Sequence, residues 1–316
     1  MTYMSGGHLV KHPRAANFAW RCPNGMFLYW FHNHGGTFIQ ANHEWLPYED
    51  RNPVWLMAGR EVETPEGLML EWSQPEILLY DDDTYVRMSY PDLVVEDGRY
   101  YITETQKHTA RVHAIAPALL DGLFTQWENR TVARDGLLLE VAAPASEAPM
   151  PVLPRFLERD FSSPTHGTKD LRAGFSLDLW LELPSLAPGQ VLLDTRVHWG
   201  QGLCLRAAEN STVEIVLNDG RQECRWTSDP GLLVAGARHH LAVIVDGGPK
   251  IISIVIDGLL NDGGEARQFG WGRFSPTLRE ANGAATLRIA PAVRHLRLYN
   301  RPLRTSEAVG NWRADL

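Results

Sequence analysis

The sequence predicts an all-β protein, and three observations carry that prediction. Apolar and aromatic runs of strand length recur along the chain, and turn-forming residues separate them, since the 316 residues include 27 glycines and 20 prolines. Dipeptides such as Asn24-Gly25 and Asp97-Gly98 stand between neighbouring runs, where they favour hairpin turns. A later run, residues 175–183, alternates apolar and polar side chains with a period of two. A chain of this length corresponds to about two domains.

The first predicted domain, residues 1–141, consists of short strands and one short helix at residues 117–127. Its predicted strands are residues 27–32, 54–58, 68–72, 77–80, 93–95, 100–104 and 111–115. Residues 142–155 are rich in proline and alanine, a composition typical of a linker.

The second predicted domain, residues 156–316, returns to strands. They are residues 176–183, 190–194, 203–207, 213–217, 239–245, 251–256 and 293–299. In the first of them the apolar residues alternate with Ser176, Asp178 and Glu182. This alternation predicts an antiparallel sheet with one buried face and one wetter face.

Charge and cysteine content exclude several classes of protein. The chain has 30 basic and 38 acidic residues and a net charge of −8, which argues against nucleic acid as a partner because phosphate binding needs a basic face. No apolar run approaches the roughly 20 residues of a membrane-spanning helix, and the N-terminal residues lack the pattern of a signal peptide. Cys22, Cys204 and Cys224 form no CxxC pair. Cys204 and Cys224 lie in neighbouring strand-like segments, so a disulfide and two free thiols remain alternatives.

The second half resembles a laminin G-like or concanavalin-like jelly roll, a β-sandwich found beside many secreted carbohydrate enzymes. The resemblance rests on residues 175–183, on the pair 239–247 and 252–258, which both end in Asp-Gly, and on 293–303, which a short predicted helix follows. It implies a domain that binds sugars, in some members with calcium, or that packs against a catalytic partner. No calcium site is assigned, because Asp194, Asp246 and Asp257 are typical turn residues.

The first half carries the candidate chemistry. Tyr90 and Asp92 flank a proline, and Glu104 follows twelve residues after Asp92, beyond a predicted hairpin turn at residues 96–99. Tyr90 and Glu104 are therefore expected on adjoining strands. Arg14 and Arg51 stand in unusually apolar surroundings. Arginines fixed beside a sheet suit bidentate capture of a carboxylate, although salt-bridged surface arginines are the alternative.

Residues 5–130 resemble the last blades of a sialidase-type β-propeller of the BNR-repeat kind. The resemblance rests on three segments: Ser-Tyr-Pro-Asp-Leu at 89–93, Glu-Asp-Gly at 96–98 and Ile-Thr-Glu at 102–104. The family usually has serine at the position of Pro91. Residues 70–77, which end just beyond Glu76, resemble the strand that leads into this region. No metal or other cofactor is expected in this half.

The sialidase resemblance implies specific roles for these residues. Tyr90 would be the nucleophile, with Asp92 beside it in the same motif, and Glu104 would hold an arginine in place. Arg14 and Arg51 resemble the second and third arginines that bind the substrate carboxylate, and Glu76 is a further substrate-binding candidate. A tyrosine suits an anionic sugar, because a carboxylate nucleophile would be repelled by the charge of the substrate. The implied partner is a glycan or oligosaccharide with a sialic-acid-like unit.

The resemblance covers only part of the sialidase domain, since about two to three blades fit before the linker, at about 40–50 residues for each blade. The family's first arginine, its general acid and the glutamate paired with the tyrosine would all precede this sequence. The chain is therefore expected to be a C-terminal part of a sialidase-like exo-glycoside hydrolase, with weak or no activity alone. The parent protein is expected to be secreted or periplasmic, and an oligomer that completes the propeller remains open.

Three alternatives compete with this interpretation. Glu76, Asp92 and Glu104 can form the carboxylate set of a five-bladed glycosidase. The chain can also be a non-catalytic carbohydrate-binding or adhesion protein that uses its jelly roll. His32 and His34 lie on one strand face and can hold a metal, but we favour polar residues that line a groove.

Overall fold

The computed structural model describes residues 10–13, 15–35, 51–106, 108–142, 145–162 and 167–316. They are mostly strands, and every strand pair among them is antiparallel, so the predicted all-β class is confirmed. The chain separates into two compact units. Unit 1 takes the described residues of Met1–Thr131, Asp262–Phe269 and Arg304–Ala314. Unit 2 takes those of Val132–Asn261, Gly270–Leu303 and Asp315–Leu316. The predicted boundaries at 141 and 155 remain predictions.

Unit 1 contains two sheets. The first has the order β1-β2-β3-β4, with β5 also paired to β3. Its strands are β1 (Phe18–Arg21), β2 (Phe27–Phe31), β3 (Val54–Thr64), β4 (Gly67–Trp72) and β5 (Glu76–Leu79). The second sheet has the order β6-β7-β8. Its strands are β6 (Leu93–Glu96), β7 (Arg99–Gln106) and β8 (Thr109–Ala114).

The β6–β7 hairpin follows directly from its turn residues. β6 ends at Glu96 and β7 begins at Arg99, so the loop consists of two residues, Asp97 and Gly98. Both have positive φ, 49° and 74°, which is the backbone of a type I′ turn and is tolerated best by aspartate, asparagine and glycine. The predicted hairpin is confirmed, and it fixes the strand that carries Glu104.

The described residues of unit 1 also form two helices, α1 (Pro117–Thr125) and α2 (Thr305–Ala314). Proline suits the start of α1, because a backbone N–H in the first turn of a helix would have no intrahelical acceptor and nothing is lost when proline lacks it. Both sheets and α1 contribute to one apolar core, in which Trp30, Leu56, Met88, Ile102 and Leu123 are buried. This shared core holds β7 and segment 85–90 against the first sheet.

Unit 2 contains two larger sheets and a separate hairpin. One sheet has the order β20-β19-β18-β13-β23-β9, with β21 also paired to β19, and the other has the order β10-β22-β14-β15-β16-β17. The hairpin pairs β11 with β12. The strands are β9 (Leu137–Val141), β10 (Glu147–Pro149), β11 (Leu157–Arg159), β12 (Thr168–Asp170), β13 (Phe175–Glu182), β14 (Val191–Asp194), β15 (Gly202–Ala208), β16 (Thr212–Asn218), β17 (Glu223–Thr227), β18 (Arg238–Asp246), β19 (Ile251–Ile256), β20 (Leu259–Leu260), β21 (Gly272–Arg273), β22 (Thr286–Ile289) and β23 (Val293–Tyr299).

The two large sheets of unit 2 share one apolar core, to which β13, β18 and β23 contribute from one sheet and β15 and β16 from the other. The prediction of a wetter face on β13 is wrong, because Ser176 and Asp178 are buried as completely as their apolar neighbours. Asp178 is paired with His240 and Arg297 at 3.0 and 3.3 Å. This pairing satisfies the charge and allows the polar face of the strand to be buried.

The cysteines are free thiols. Cys204 lies opposite Val216, and Cys224 lies opposite Leu217, the next residue of β16. Because consecutive strand residues point to opposite faces of a sheet, the two thiols face away from each other. Of the two alternatives, the structure therefore has free thiols.

Candidate functional site

A surface cavity of about 820 Å³ in unit 1 brings two of the predicted site residues together. Its described lining residues are Arg51, Tyr85, Arg87, Ser89, Tyr90, Thr105, Gln106, His108 and Thr109. Arg51 lies shortly before β3, and four of the lining residues precede β6. Thr105 and Gln106 end β7, His108 directly precedes β8, and Thr109 begins it.

Strand pairing places Tyr90 at this cavity. The backbone N–H of Thr105 donates to the Ser89 carbonyl at 2.8 Å, so Ser89 lies opposite Thr105 at the end of β7. Tyr90 follows with φ of 49°, a left-handed conformation that is unusual for a bulky residue. Its side chain is 66% exposed. The chain thus turns sharply at Tyr90 and presents the phenol to solvent beside the cavity.

The described lining of the cavity carries two arginines. Arg51 donates from Nη1 to Ser89 Oγ at 2.7 Å, which fixes its guanidinium at the cavity wall. Arg87 is the second arginine of the lining, and no carboxylate occurs among the described lining residues. Two guanidinium groups at one cavity suit a planar anion such as a carboxylate, which accepts paired N–H donors.

Gln106 adds a neutral donor to the same wall. Its Nε2 is buried and has no hydrogen-bond partner among the described residues. A buried amide without a partner costs free energy, and a ligand oxygen in the cavity would satisfy it. The site therefore has charged and neutral donors, together with hydroxyl groups from Ser89, Thr105 and Tyr90.

Glu104 lies on β7 below this surface and does not belong to the described lining. It is fully buried and points to the same side of β7 as Ile102 in the core. The arginine beside it is Arg111 of β8, with Nε 3.5 Å from Oε1, and His113 Nε2 lies 3.8 Å from the same oxygen. Burial raises the pKa of Glu104, and the positive charge of Arg111 offsets only part of that rise. Neither carboxylate oxygen accepts a hydrogen bond from the described residues.

Asp92 is exposed and shapes the entry to β6. Its backbone N–H donates to Thr103 Oγ1 at 2.9 Å, and its Oδ1 accepts from the Leu93 N–H at 2.9 Å. These local bonds are those of a strand-end turn, and Asp92 is outside the described cavity lining.

Glu76 is buried at the start of β5 and binds the N-terminus of α2. Its two carboxylate oxygens accept the backbone N–H groups of Thr305 and Ser306 at 2.9 and 2.8 Å. A helix N-terminus has unsatisfied N–H donors and a partial positive charge, so a carboxylate is a suitable cap. Burial raises the pKa of Glu76, and the two backbone hydrogen bonds oppose that rise. The structure gives this residue a role in holding α2.

Arg14 lies outside the described residues. Of the histidines near the predicted groove, His12 and His32 stack with ring centroids 5.6 Å apart. Burial lowers the pKa of both imidazoles. His34 stacks on Phe269 at 4.8 Å. Within the described residues, no three potential ligands are close enough to hold a metal ion.

Sequence reasoning missed Arg87, although a signal for it exists. Tyr85, Arg87 and Ser89 line the cavity, while Val86 and Met88 pack into the core of unit 1. The period of two places alternate residues of an extended segment on one side. Applied to residues 85–89, that rule would have grouped Arg87 with Ser89, whereas the contact of Ser89 with Arg51 is visible only in the structure.

The aspartates considered for calcium have protein partners in unit 2. Asp194 binds Arg196 and Arg288 at 2.9 and 2.8 Å. Asp246 Oδ1 accepts the N–H of Gly248, and Asp257 Oδ1 accepts that of His240. In the described part of the chain, neither helix is long and apolar enough to cross a membrane.

Comparison with known proteins gives only distant likenesses. No protein-family model matches the chain, and no curated protein matches it either. Among solved structures, a Trypanosoma rangeli sialidase in complex with sialic acid is 13% identical, with 99% of this chain and 55% of that chain covered and a TM-score of 0.35. The Ruminococcus gnavus IT-sialidase CBM40 is 12% identical, with 54% of this chain and 96% of that chain covered and a TM-score of 0.35.

The binding domain of botulinum neurotoxin serotype D is 10% identical, with 45% of this chain and 37% of that chain covered and a TM-score of 0.35. This chain thus spans about half the length of the sialidase it matches and just over a third of the toxin domain. Likenesses at this level do not define a shared fold, and we assign no residue role from them.

Proposed function

We propose that the cavity around Tyr90 binds the carboxylate of a sialic-acid-like sugar, as part of a sialidase-like glycoside hydrolase. One observation carries this proposal: Arg51, Arg87 and Tyr90 line the same cavity, and the described lining contains no carboxylate. Such a site attracts an anionic sugar and repels no part of it. In this proposal Arg51 and Arg87 hold the carboxylate, and Gln106 donates to a further ligand oxygen.

We also interpret the two sheets of unit 1 as blades of a sialidase-type propeller, and the two large sheets of unit 2 as a laminin G-like or concanavalin-like jelly roll. The antiparallel sheets of unit 1 and the shared core of the two large sheets of unit 2 support this interpretation. A glycan-directed protein of this kind fits a secreted or periplasmic location.

Tyr90 is the proposed nucleophile. Its phenolic O–H would lose its proton to a base while the oxygen bonds to the anomeric carbon and the glycosidic bond breaks, and water would then release the sugar and return a proton to the phenol. The described lining has no carboxylate to serve as that base. The leaving oxygen needs a proton, and the described lining has no carboxylic acid to donate one. We therefore expect this chain to bind the sugar well and to hydrolyse its glycosides slowly or not at all.

Binding without turnover is the second candidate function, and the same absence of a carboxylic acid from the described lining favours it. The carboxylate-based glycosidase has less support. Glu76 is engaged by the N-terminus of α2, Asp92 is exposed at a strand end, and Glu104 is buried beside Arg111.

Titration with N-acetylneuraminic acid tests the binding proposal. We expect Arg51→Met and Arg87→Met each to weaken binding by at least about tenfold, since each removes charge-assisted hydrogen bonds. The methyl ester of the sugar should also bind more weakly than the acid. Arg21→Met is the matched control, because Arg21 is 64% exposed and pairs only loosely with Glu61 at 3.8 Å. Equal binding by the Arg51, Arg87 and Arg21 variants would refute the proposal.

A fluorogenic sialoside tests the catalytic proposal. Any turnover should disappear in Tyr90→Phe, while N-acetylneuraminic acid still binds, because the phenylalanine keeps the ring and loses only the nucleophilic oxygen. Turnover that survives this substitution would exclude Tyr90 as the nucleophile.

A further inference from the structure

A second cationic cavity, of about 1060 Å³, lies in unit 2 at the β11–β12 hairpin. Its described lining residues are Arg155, Leu157, Glu158, Arg159, Asp160, Phe161, Ser162, Gly167, Thr168, Lys169, Arg221 and Arg279. Five of these are cations and two are acids, which is a local excess of positive charge in a protein whose net charge is −8.

Two of the five cations lie near acidic partners, and the guanidinium groups of the other three have no polar partner among the described residues. Arg155 is paired with Glu280 at 2.9 Å, and Lys169 lies 3.8 Å from Glu158. The remaining guanidinium groups form no hydrogen bond or ion pair within the described residues; they belong to Arg159, Arg221 and Arg279. Each has a fixed, planar set of donors, so together the three can donate several hydrogen bonds to an anionic ligand.

Hydrogen bonds to Asp219 hold the backbone of two of these arginines in place. Asp219 Oδ1 accepts the N–H of Arg221 at 2.9 Å, and its Oδ2 accepts the N–H of Arg279 at 3.1 Å. The carbonyl of Arg279 in turn accepts the N–H of Phe156 at 2.8 Å, next to β11. Burial alone would raise the pKa of Asp219, but the backbone hydrogen bonds from Arg279, Gln222 and Arg221 lower it. One carboxylate therefore anchors two chain segments of the cavity.

The aromatic and acidic residues of the lining narrow the class of ligand. Phe161 is 76% exposed, and the guanidinium of Arg159 lies 5.4 Å from the centre of its ring. An exposed ring offers a stacking surface for a sugar. Glu158 lies 3.8 Å from Lys169 and offers an acceptor for sugar hydroxyl groups, which donate hydrogen bonds.

We propose that this cavity binds an anionic polysaccharide through its sulfate or carboxylate groups. The three guanidinium groups would contact the anionic groups, and Phe161 would stack on a sugar ring. A polysaccharide fits better than a nucleic acid, because its many ring hydroxyl groups can donate to the carboxylate of Glu158 in the lining. This site lies in unit 2 and involves none of the residues of the Tyr90 cavity, so it stands independently of the proposed function.

Calorimetric titration of the full chain tests this inference with three probes: a heparin-derived octasaccharide, an oligogalacturonate of the same length and neutral dextran. We expect the protein to bind at least one of the two anionic probes and not dextran. Heparin carries carboxylate as well as sulfate groups, so tighter binding of the heparin octasaccharide shows that sulfate adds affinity. Equal or tighter binding of the oligogalacturonate shows that carboxylate groups are sufficient. A triple variant, Arg159→Gln with Arg221→Gln and Arg279→Gln, should bind at least about 100-fold more weakly.

Two controls make the test specific. Arg294→Gln removes one charge from an exposed pair with Glu182 in the same unit and should leave binding unchanged. Phe161→Ala should weaken binding while leaving the melting temperature unchanged, because the ring is exposed. The triple variant should still bind N-acetylneuraminic acid as the original chain does. Equal affinity of the triple variant and the original chain, no binding of either anionic probe, or tighter binding of single-stranded DNA would overturn the inference.

Discussion

Removing the carboxylate of Glu76 should destabilise the protein strongly, although sequence reasoning placed this residue among the substrate-binding candidates. Glu76 is 4% exposed and accepts two backbone N–H groups of α2 at 2.9 and 2.8 Å. In Glu76→Ala both donors are left without that acceptor. At about 1–3 kcal/mol for each unsatisfied buried donor, the loss of the acceptor for both should lower the free energy of unfolding by about 2–6 kcal/mol. Glu76→Gln keeps one acceptor oxygen and should lose about half as much.

Urea unfolding at pH 7, followed by tryptophan fluorescence, measures this loss. Glu71→Ala is the control. Glu71 lies on β4, the strand that precedes β5 in the chain; its side chain is 43% exposed, and it forms only a partly exposed pair with Arg60. That change should cost less than about 1 kcal/mol. The reasoning is refuted if Glu76→Ala is no more destabilising than Glu71→Ala. If Glu76→Ala instead weakened sugar binding and left the free energy of unfolding unchanged, Glu76 would be a substrate-binding residue.

Two further predictions concern buried charges. Because burial raises the pKa of Glu104, the folded state holds this proton more tightly than the unfolded chain does, and stability falls as the pH rises from the unfolded value of about 4.3 through the raised value. Glu104→Gln should therefore raise the melting temperature at pH 7, with a difference that disappears near pH 4; a lower melting temperature at pH 7 would contradict this. Arg297 is 3% exposed and binds Asp178, Glu140 and Asp315. Arg297→Met should cost about 3–5 kcal/mol in urea unfolding because it removes the guanidinium partner of the buried Asp178 carboxylate, whose contact with His240 remains. A cost no larger than that of a surface change would show that the network is unimportant.

The local sequence pattern predicted the strands well, because the length of an apolar run, its flanking turn residues and its period depend only on residues that are adjacent in the chain. The Asp97-Gly98 hairpin is an example, since the two positive φ angles require those residue types. The burial of Asp178 was not predictable in the same way. Its partners His240 and Arg297 are 62 and 119 residues away in the sequence. A polar residue in an alternating strand indicates a wet face unless such distant partners are known.

The candidate site was accessible to sequence reasoning only in part. Tyr90 and Arg51 were selected from residue type and resemblance, and the structure brings both to one cavity. Glu76 was selected for the same kind of reason, but its hydrogen-bond partners lie 229 and 230 residues further along the chain. Residue type alone does not distinguish a carboxylate that binds ligand from one that caps a helix. That distinction depends on tertiary contacts.

A crystal structure of the protein with N-acetylneuraminic acid tests the central claim most directly. We predict that the sugar occupies the Tyr90 cavity, with its carboxylate oxygens within about 3.2 Å of the guanidinium nitrogens of Arg51 and Arg87. Tyr90 should face the anomeric carbon, and Gln106 Nε2 should donate to a ligand oxygen. A sugar bound elsewhere on the protein, or one whose carboxylate points away from both arginines, would contradict the account.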